Sequence, residues 1–126
     1  MYRLTPEQAA LVAKAARIAE DVIGHETAAV DRESRFPTAA ITALGEARLL
    51  GLTVPEEYGG MGQGLRVAAA VRDEISQRDA SVGMITLMHF CGVACYIASP
   101  QTAGQKLRDA RRRALWDPLP TCCMTL

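Results

Sequence analysis

The sequence predicts an all-α fold: an orthogonal or up-down bundle of four main helices. Apolar residues recur at helical spacing in three separate stretches, and a fourth, Ala80 to Gln105, holds no Asp, Glu, Lys or Arg at all. The chain of 126 residues, 49% hydrophobic but only 5% aromatic, suits one packed core of aliphatic and alanine-rich helices.

The first helix is expected near 5 to 29. Thr5, Pro6 and Gln8 fit an N-cap, a first helical position and the far partner of a capping box, each covering a helix-end donor that would otherwise be unpaired. Leu11, Ala15, Ile18 and Val22 then form one stripe, with Lys14, Arg17 and Asp21 elsewhere. Gly24 is a candidate stop that the following residues can override, and Asp31 to Arg35 reads as a polar connection. Phe36-Pro37 restarts the chain into a second helix near 37 to 50, with Ile41, Leu44 and Arg48 on one face and Gly51 as a left-handed stop. Leu52 to Pro55 is too short and too proline-bound for a helix, and Glu56 to Gly64 contains four glycines in nine residues, so this stretch is loop. Val67, Val71 and Ile75 mark a third helix near 65 to 78. Asp79 or Ser81 caps a fourth near 81 to 98, whose Val82, Met84, Ile85, Leu87, Met88, Phe90, Val93 and Ile97 leave almost no polar face. That helix is expected to be buried all round, in a bundle core in preference to a bilayer: His89, Gly83 and Gly92 disfavour a span, as does the lack of aromatic anchors at both ends. A carboxylate at Leu87 is accordingly expected to unfold the domain.

Charge and cysteine usage exclude several classes. Fourteen basic and fourteen acidic residues cancel, so no overall field draws the chain to nucleic acid or anionic lipid. Cys91 and Cys95 lie inside the apolar run and Cys122 and Cys123 are adjacent, which is no disulfide ladder. The N-terminus lacks the apolar region of a secretory signal, and a reducing, cytoplasmic setting is expected.

Catalytic motifs are scarce. Gly60, Gly62 and Gly64 precede a helix that could hold a phosphate, but no hydrophobic strand comes before them and no Gly-Lys-Ser/Thr follows, so a tight inter-helix loop is favoured. His89, Cys91 and Cys95 fall short of four ligands with a shared face; a core histidine beside two buried thiols is expected, with no metal. Two histidines without a suitably placed serine support no hydrolytic set, and Arg111 to Arg113, beside Lys106 and Arg108, lacks the aromatic interleaving of a nucleic-acid surface.

One resemblance stands out. Phe36-Pro37, Leu44-Gly45, Leu49 to Leu52, and above all Val54-Pro55-Glu56-Glu57-Tyr58-Gly59-Gly60-Met61-Gly62 resemble the N-terminal domain of acyl-CoA dehydrogenases. The likeness continues through Glu74-Ile75-Ser76, Asp79-Ala80-Ser81 and Met88-His89-Phe90, and covers roughly 5 to 105. It implies one helical part of an FAD enzyme that also has a middle β domain and a C-terminal helical bundle, usually a homo-oligomer. In that family a bundle glutamate removes the α-proton of an acyl-CoA, flavin takes the β-hydride, and an electron-transferring flavoprotein reoxidises the flavin. The fourth helix walls the acyl cavity there, which carries over to Met84, Leu87, Met88 and Cys91. The residues alone leave pocket wall and plain core open. No catalytic, flavin-binding or metal residue is expected within the chain.

The resemblance ends near residue 105, dividing the chain into a helical domain, 1–105, and an atypical tail, 106–126, which reads as frameshifted or prematurely ended. A flavin-dependent monooxygenase of the same superfamily, or a non-enzymatic helical or membrane-anchored protein, are the alternative functions.

Overall fold

A computed structural model describes residues 2–98, and among them every element is helical. The expected tail and the basic segment from Lys106 to Arg113 lie outside the described residues. α1 (Pro6–Ile18) and α2 (Gly24–Glu33) form one rod, joined by a π turn at Ala19–Ile23, so Gly24 does not stop the helix. Its start is the capping box: Thr5 Oγ1 accepts from the Gln8 N–H at 3.3 Å, and Gln8 Oε1 accepts from the Thr5 N–H at 3.1 Å. The wider π turn changes the phase of the buried stripe, so Ala15, Ala19 and Ile23 are buried and Val22 is only half-buried. The rod takes in Asp31 to Glu33 and ends at Ser34, which is left-handed at φ 50°. The polar connection is therefore shorter than expected.

α3 (Thr38–Glu46) ends sooner than its apolar pattern suggests. The left-handed residue is Arg48, at φ 63°, and Gly51 instead lies in a 3₁₀ turn, Leu49–Gly51. Stopping early turns Leu49, Leu50 and Leu52 into the core, each at most 2% exposed. Arg48 points outward and donates to the Gly59 carbonyl at 2.8 Å, tying the turn to the glycine loop.

That loop folds back on the segment before it. Met61, Gly62 and Gln63 donate their N–H groups to the carbonyls of Gly51, Val54 and Leu52, at 3.1, 2.8 and 2.9 Å. The approach is so close that a Cβ on Gly60 would lie 2.1 Å from the Val54 oxygen, which only glycine permits.

α4 (Leu65–Ser76) leads into α5 (Ala80–Ala98) through three residues. Of the two cap candidates Asp79 serves: its carboxylate accepts from the Ser81 and Val82 N–H groups at 2.8 and 3.0 Å. The core joins Ala15, Ala19 and Ile23 to Ile41 and Leu44 of α3, Val67, Val71 and Ile75 of α4, and Val82 and Phe90 of α5. A smaller cluster of Val54 and Val93, flanked by Tyr58 and Ile97, fastens the glycine segment to α5.

Candidate functional site

α5 presents two unlike sides. Towards the core lie Val82, Thr86, His89, Phe90 and Val93, all buried. Both polar side chains there are satisfied. Thr86 Oγ1 donates to the Val82 carbonyl at 2.8 Å, and His89 Nε2 lies 2.8 Å from the Leu50 carbonyl, which can only accept, so Nε2 carries the hydrogen. That bond spans the bundle from α5 to the 3₁₀ turn after α3.

The other side is apolar and open. Met84 and Met88 are each 52% exposed, Leu87 is half-buried, and Cys91 and Cys95 are exposed free thiols. The helix is thus not buried all round, and the expectation of two buried thiols is corrected: Cys91 and Cys95 follow Met84 and Met88 around the helix, away from His89. His89 is a core histidine as expected. Among the described residues no group of three or more His, Cys, Asp or Glu is placed to hold a metal ion. Met84, Leu87, Met88 and Cys91, singled out from sequence, do come together, at the i, i+3, i+4 and i+7 positions of one stripe.

Sequence reasoning missed the flank of that stripe. Ser76 of α4 meets Gly83 of α5 so closely that a Cβ on Gly83 would lie 2.0 Å from Ser76 Oγ. Ser76 Oγ and Arg72 Nε are both buried without a hydrogen-bond partner. Periodicity reports only that Arg72 is off the core face of α4; it carries no signal for an unmet donor.

Two other features offer less. The glycine loop directs the N–H groups of Met61, Gly62 and Gln63 at the carbonyls of the preceding segment, so it forms no cradle for a pyrophosphate, and these residues do not fit FAD. A cleft of about 390 Å³ at the start of α5, lined by Thr27, Asp31, Arg35, Arg78 and Asp79 among others, has its cations paired. Arg35 binds Glu33 and Glu26 at 2.9 and 3.4 Å, and Arg78 lies 3.6 Å from Glu20. Among the described residues no helix is long and apolar enough to cross a membrane.

A helical bundle with an apolar, uncovered α5 is the setting in which comparison with known proteins becomes informative. The family described as "Acyl-CoA dehydrogenase, N-terminal domain" matches residues 5–109. The chain belongs to this family. Among relatives of this acyl-CoA dehydrogenase domain, the 3-sulfinopropanoyl-CoA desulfinase of Paraburkholderia xenovorans is 34% identical over 125 residues, 99% of this chain and 32% of that protein. The probable acyl-CoA dehydrogenase fadE25 of Mycobacterium leprae is 35% identical over 92 residues, 73% of this chain and 24% of that protein. The mitochondrial isovaleryl-CoA dehydrogenase of Oryza sativa subsp. japonica is 39% identical over 70 residues, 54% of this chain and 17% of that protein. The chain therefore spans about a third or less of the length of these relatives. No solved structure matches it significantly.

Proposed function

We propose that this domain supplies one wall of the acyl-chain pocket of a flavin-dependent enzyme that oxidises acyl-CoA thioesters. The wall is the stripe Met84, Leu87, Met88 and Cys91. A single observation supports it: on a domain whose other large aliphatic residues mostly lie inside, α5 turns a continuous apolar row outward while keeping Thr86 and His89 in the core. Water does not reward that arrangement, and a non-polar guest or neighbour does. Methionine is suited to such a wall, because its unbranched, polarisable side chain adapts to different guests. The names of all three relatives carry a CoA thioester, so the reading commits to that substrate class.

In this reading FAD, the catalytic base and the contacts for an electron-transferring flavoprotein belong to other parts of a longer protein, which works as a homo-oligomer in the cytoplasm. The bundle positions the stripe and excludes water from the acyl chain; nothing in it acts on a proton. The chain of 126 residues alone is then expected to retain no flavin and to bleach none when a medium-chain acyl-CoA is added. The decisive measurement is NMR of the Met84 and Met88 methyl groups during titration with hexanoyl-CoA and with free CoA. Shifts confined to hexanoyl-CoA support a wall for the acyl chain, and methyl signals indifferent to both ligands sink it. Stoichiometric flavin that bleaches with substrate would overturn the assignment of the chemistry to other parts.

A further inference from the structure

The open side of α5 is also a row of sulfur. Met84, Met88, Cys91 and Cys95 follow one another at spacings of four, three and four residues. At 3.6 residues per turn they fall within about 60° of helical arc. All four are exposed, and both thiols are free. α5 carries no Asp, Glu, Lys or Arg, so no charged side chain of its own competes for this face. His89, the remaining metal-capable side chain of the helix, is buried on the core side with Nε2 against the Leu50 carbonyl.

Two thiols at i and i+4 suit a shared ion better than a bond to each other. On a helix their Cβ atoms are about 5–6 Å apart, whereas a disulfide needs about 3.5–4.5 Å. An intact α5 therefore opposes the disulfide. A thiolate–metal bond of about 2.3 Å lets one ion link sulfurs up to about 4.6 Å apart, which two side chains leaning towards one another reach. Zinc takes four ligands from Cys, His and carboxylates, and only the two thiols qualify on this face; hard cations want carboxylate oxygens, which α5 lacks. Thiolates joined by a thioether select a soft ion instead. Met88, one turn before Cys91, has the long unbranched side chain to complete such a set. We propose that Cys91 and Cys95, with Met88 as third ligand, form a copper(I) site on the open side of α5. The uncovered face is its entry path, and binding releases the thiol protons. The site needs no acyl chain and so stands independently of the pocket-wall reading.

Cys122 and Cys123 are a second pair of thiols, outside the described residues, so every sample of the full chain carries Cys122→Ser and Cys123→Ser. Copper(I) is added anaerobically in competition with bicinchoninate, and the Met84 and Met88 methyls are followed by NMR. One ion per chain is expected, with the Met88 signal moving further than that of Met84, which lies a further turn away. Cys91→Ser and Cys95→Ser should each weaken binding at least about a hundredfold, and Met88→Leu about tenfold, since even outer partners of a metal are worth about 10- to 100-fold. All three positions are exposed, so circular dichroism should show the fold unchanged. An affinity that survives both serine variants overturns the proposal, as does zinc(II) bound as tightly as copper(I). One ion shared by two chains also overturns it and assigns the metal to facing rows of two copies. Methyls that respond to copper(I) but ignore hexanoyl-CoA remove the wall and leave the metal site.

Discussion

The two sides of α5 invert the usual relation between polarity and burial. Between Met84 and Cys95 its core side holds a threonine and a histidine, its open side two methionines, a leucine and two cysteines, and over that stretch the side richer in hydrogen-bonding atoms is the buried one. Each arrangement has its own physical basis. Thr86 bonds back to its own helix, and His89 satisfies the Leu50 carbonyl at a turn where no helical N–H is available, so neither is a desolvated group left unpaired. The open side has no such internal explanation and points to something outside the described residues.

Substituting the same charge on each side separates them most sharply. Val82 is 1% exposed within the core, so Val82→Asp buries a carboxylate without a partner; a loss of several kcal/mol is expected, comparable to the whole stability of a small domain. Met88→Asp, at 52% exposure, is expected to change stability by less than about 0.5 kcal/mol. Circular dichroism melts of the two variants decide the matter, and similar losses would mean that the open side is packed.

Composition could not distinguish these sides. Every position from Ala80 to Ala98 is uncharged, so the apolar pattern has no polar gap from which to read a direction, and a helix buried all round was the reading it favoured. Direction comes instead from tertiary contacts: Ser76 against Gly83, and Leu50 against His89. Leu87 shows the cost of that blindness. It is half-buried, whereas Val82 is 1% exposed, so the full burial on which unfolding by a carboxylate depends is met at Val82. Local signals fared better: the Thr5 and Gln8 capping box, the Asp79 cap and the glycine loop were all legible, because each depends on residues close in the chain. The left-handed stop was misplaced at Gly51 because backbone preference favours glycine, whereas burial of Leu49, Leu50 and Leu52 places the turn at Arg48.

A smaller effect tests the core side. His89→Leu keeps the volume of the site roughly filled but leaves the Leu50 carbonyl without its donor, at an expected loss of about 1–3 kcal/mol. Urea unfolding monitored by circular dichroism should show a lower midpoint with an unchanged slope. A midpoint equal to that of the parent would show that the bond between α5 and the turn after α3 contributes nothing net.

The smallest expected change in stability accompanies the largest change in behaviour. Met84→Gln with Met88→Gln replaces two half-exposed thioethers by amides of similar helix propensity, and adds no charge to a chain whose formal net charge is +0. Thermal unfolding should therefore stay within about 0.5 kcal/mol of the parent. The parent nevertheless exposes a continuous apolar row, and burying it between copies removes that row from water, so self-association is expected at concentrations used for purification. Sedimentation velocity over a dilution series should show the parent shifting towards larger species as concentration rises, while the double variant remains monomeric. Cysteine is a competing source of association, since Cys91 and Cys95 are exposed thiols, so both samples are kept in reductant. A parent that stays monomeric, or a double variant that associates as strongly, would show that the open side of α5 tolerates water, and the wall assigned to it would lose its physical basis.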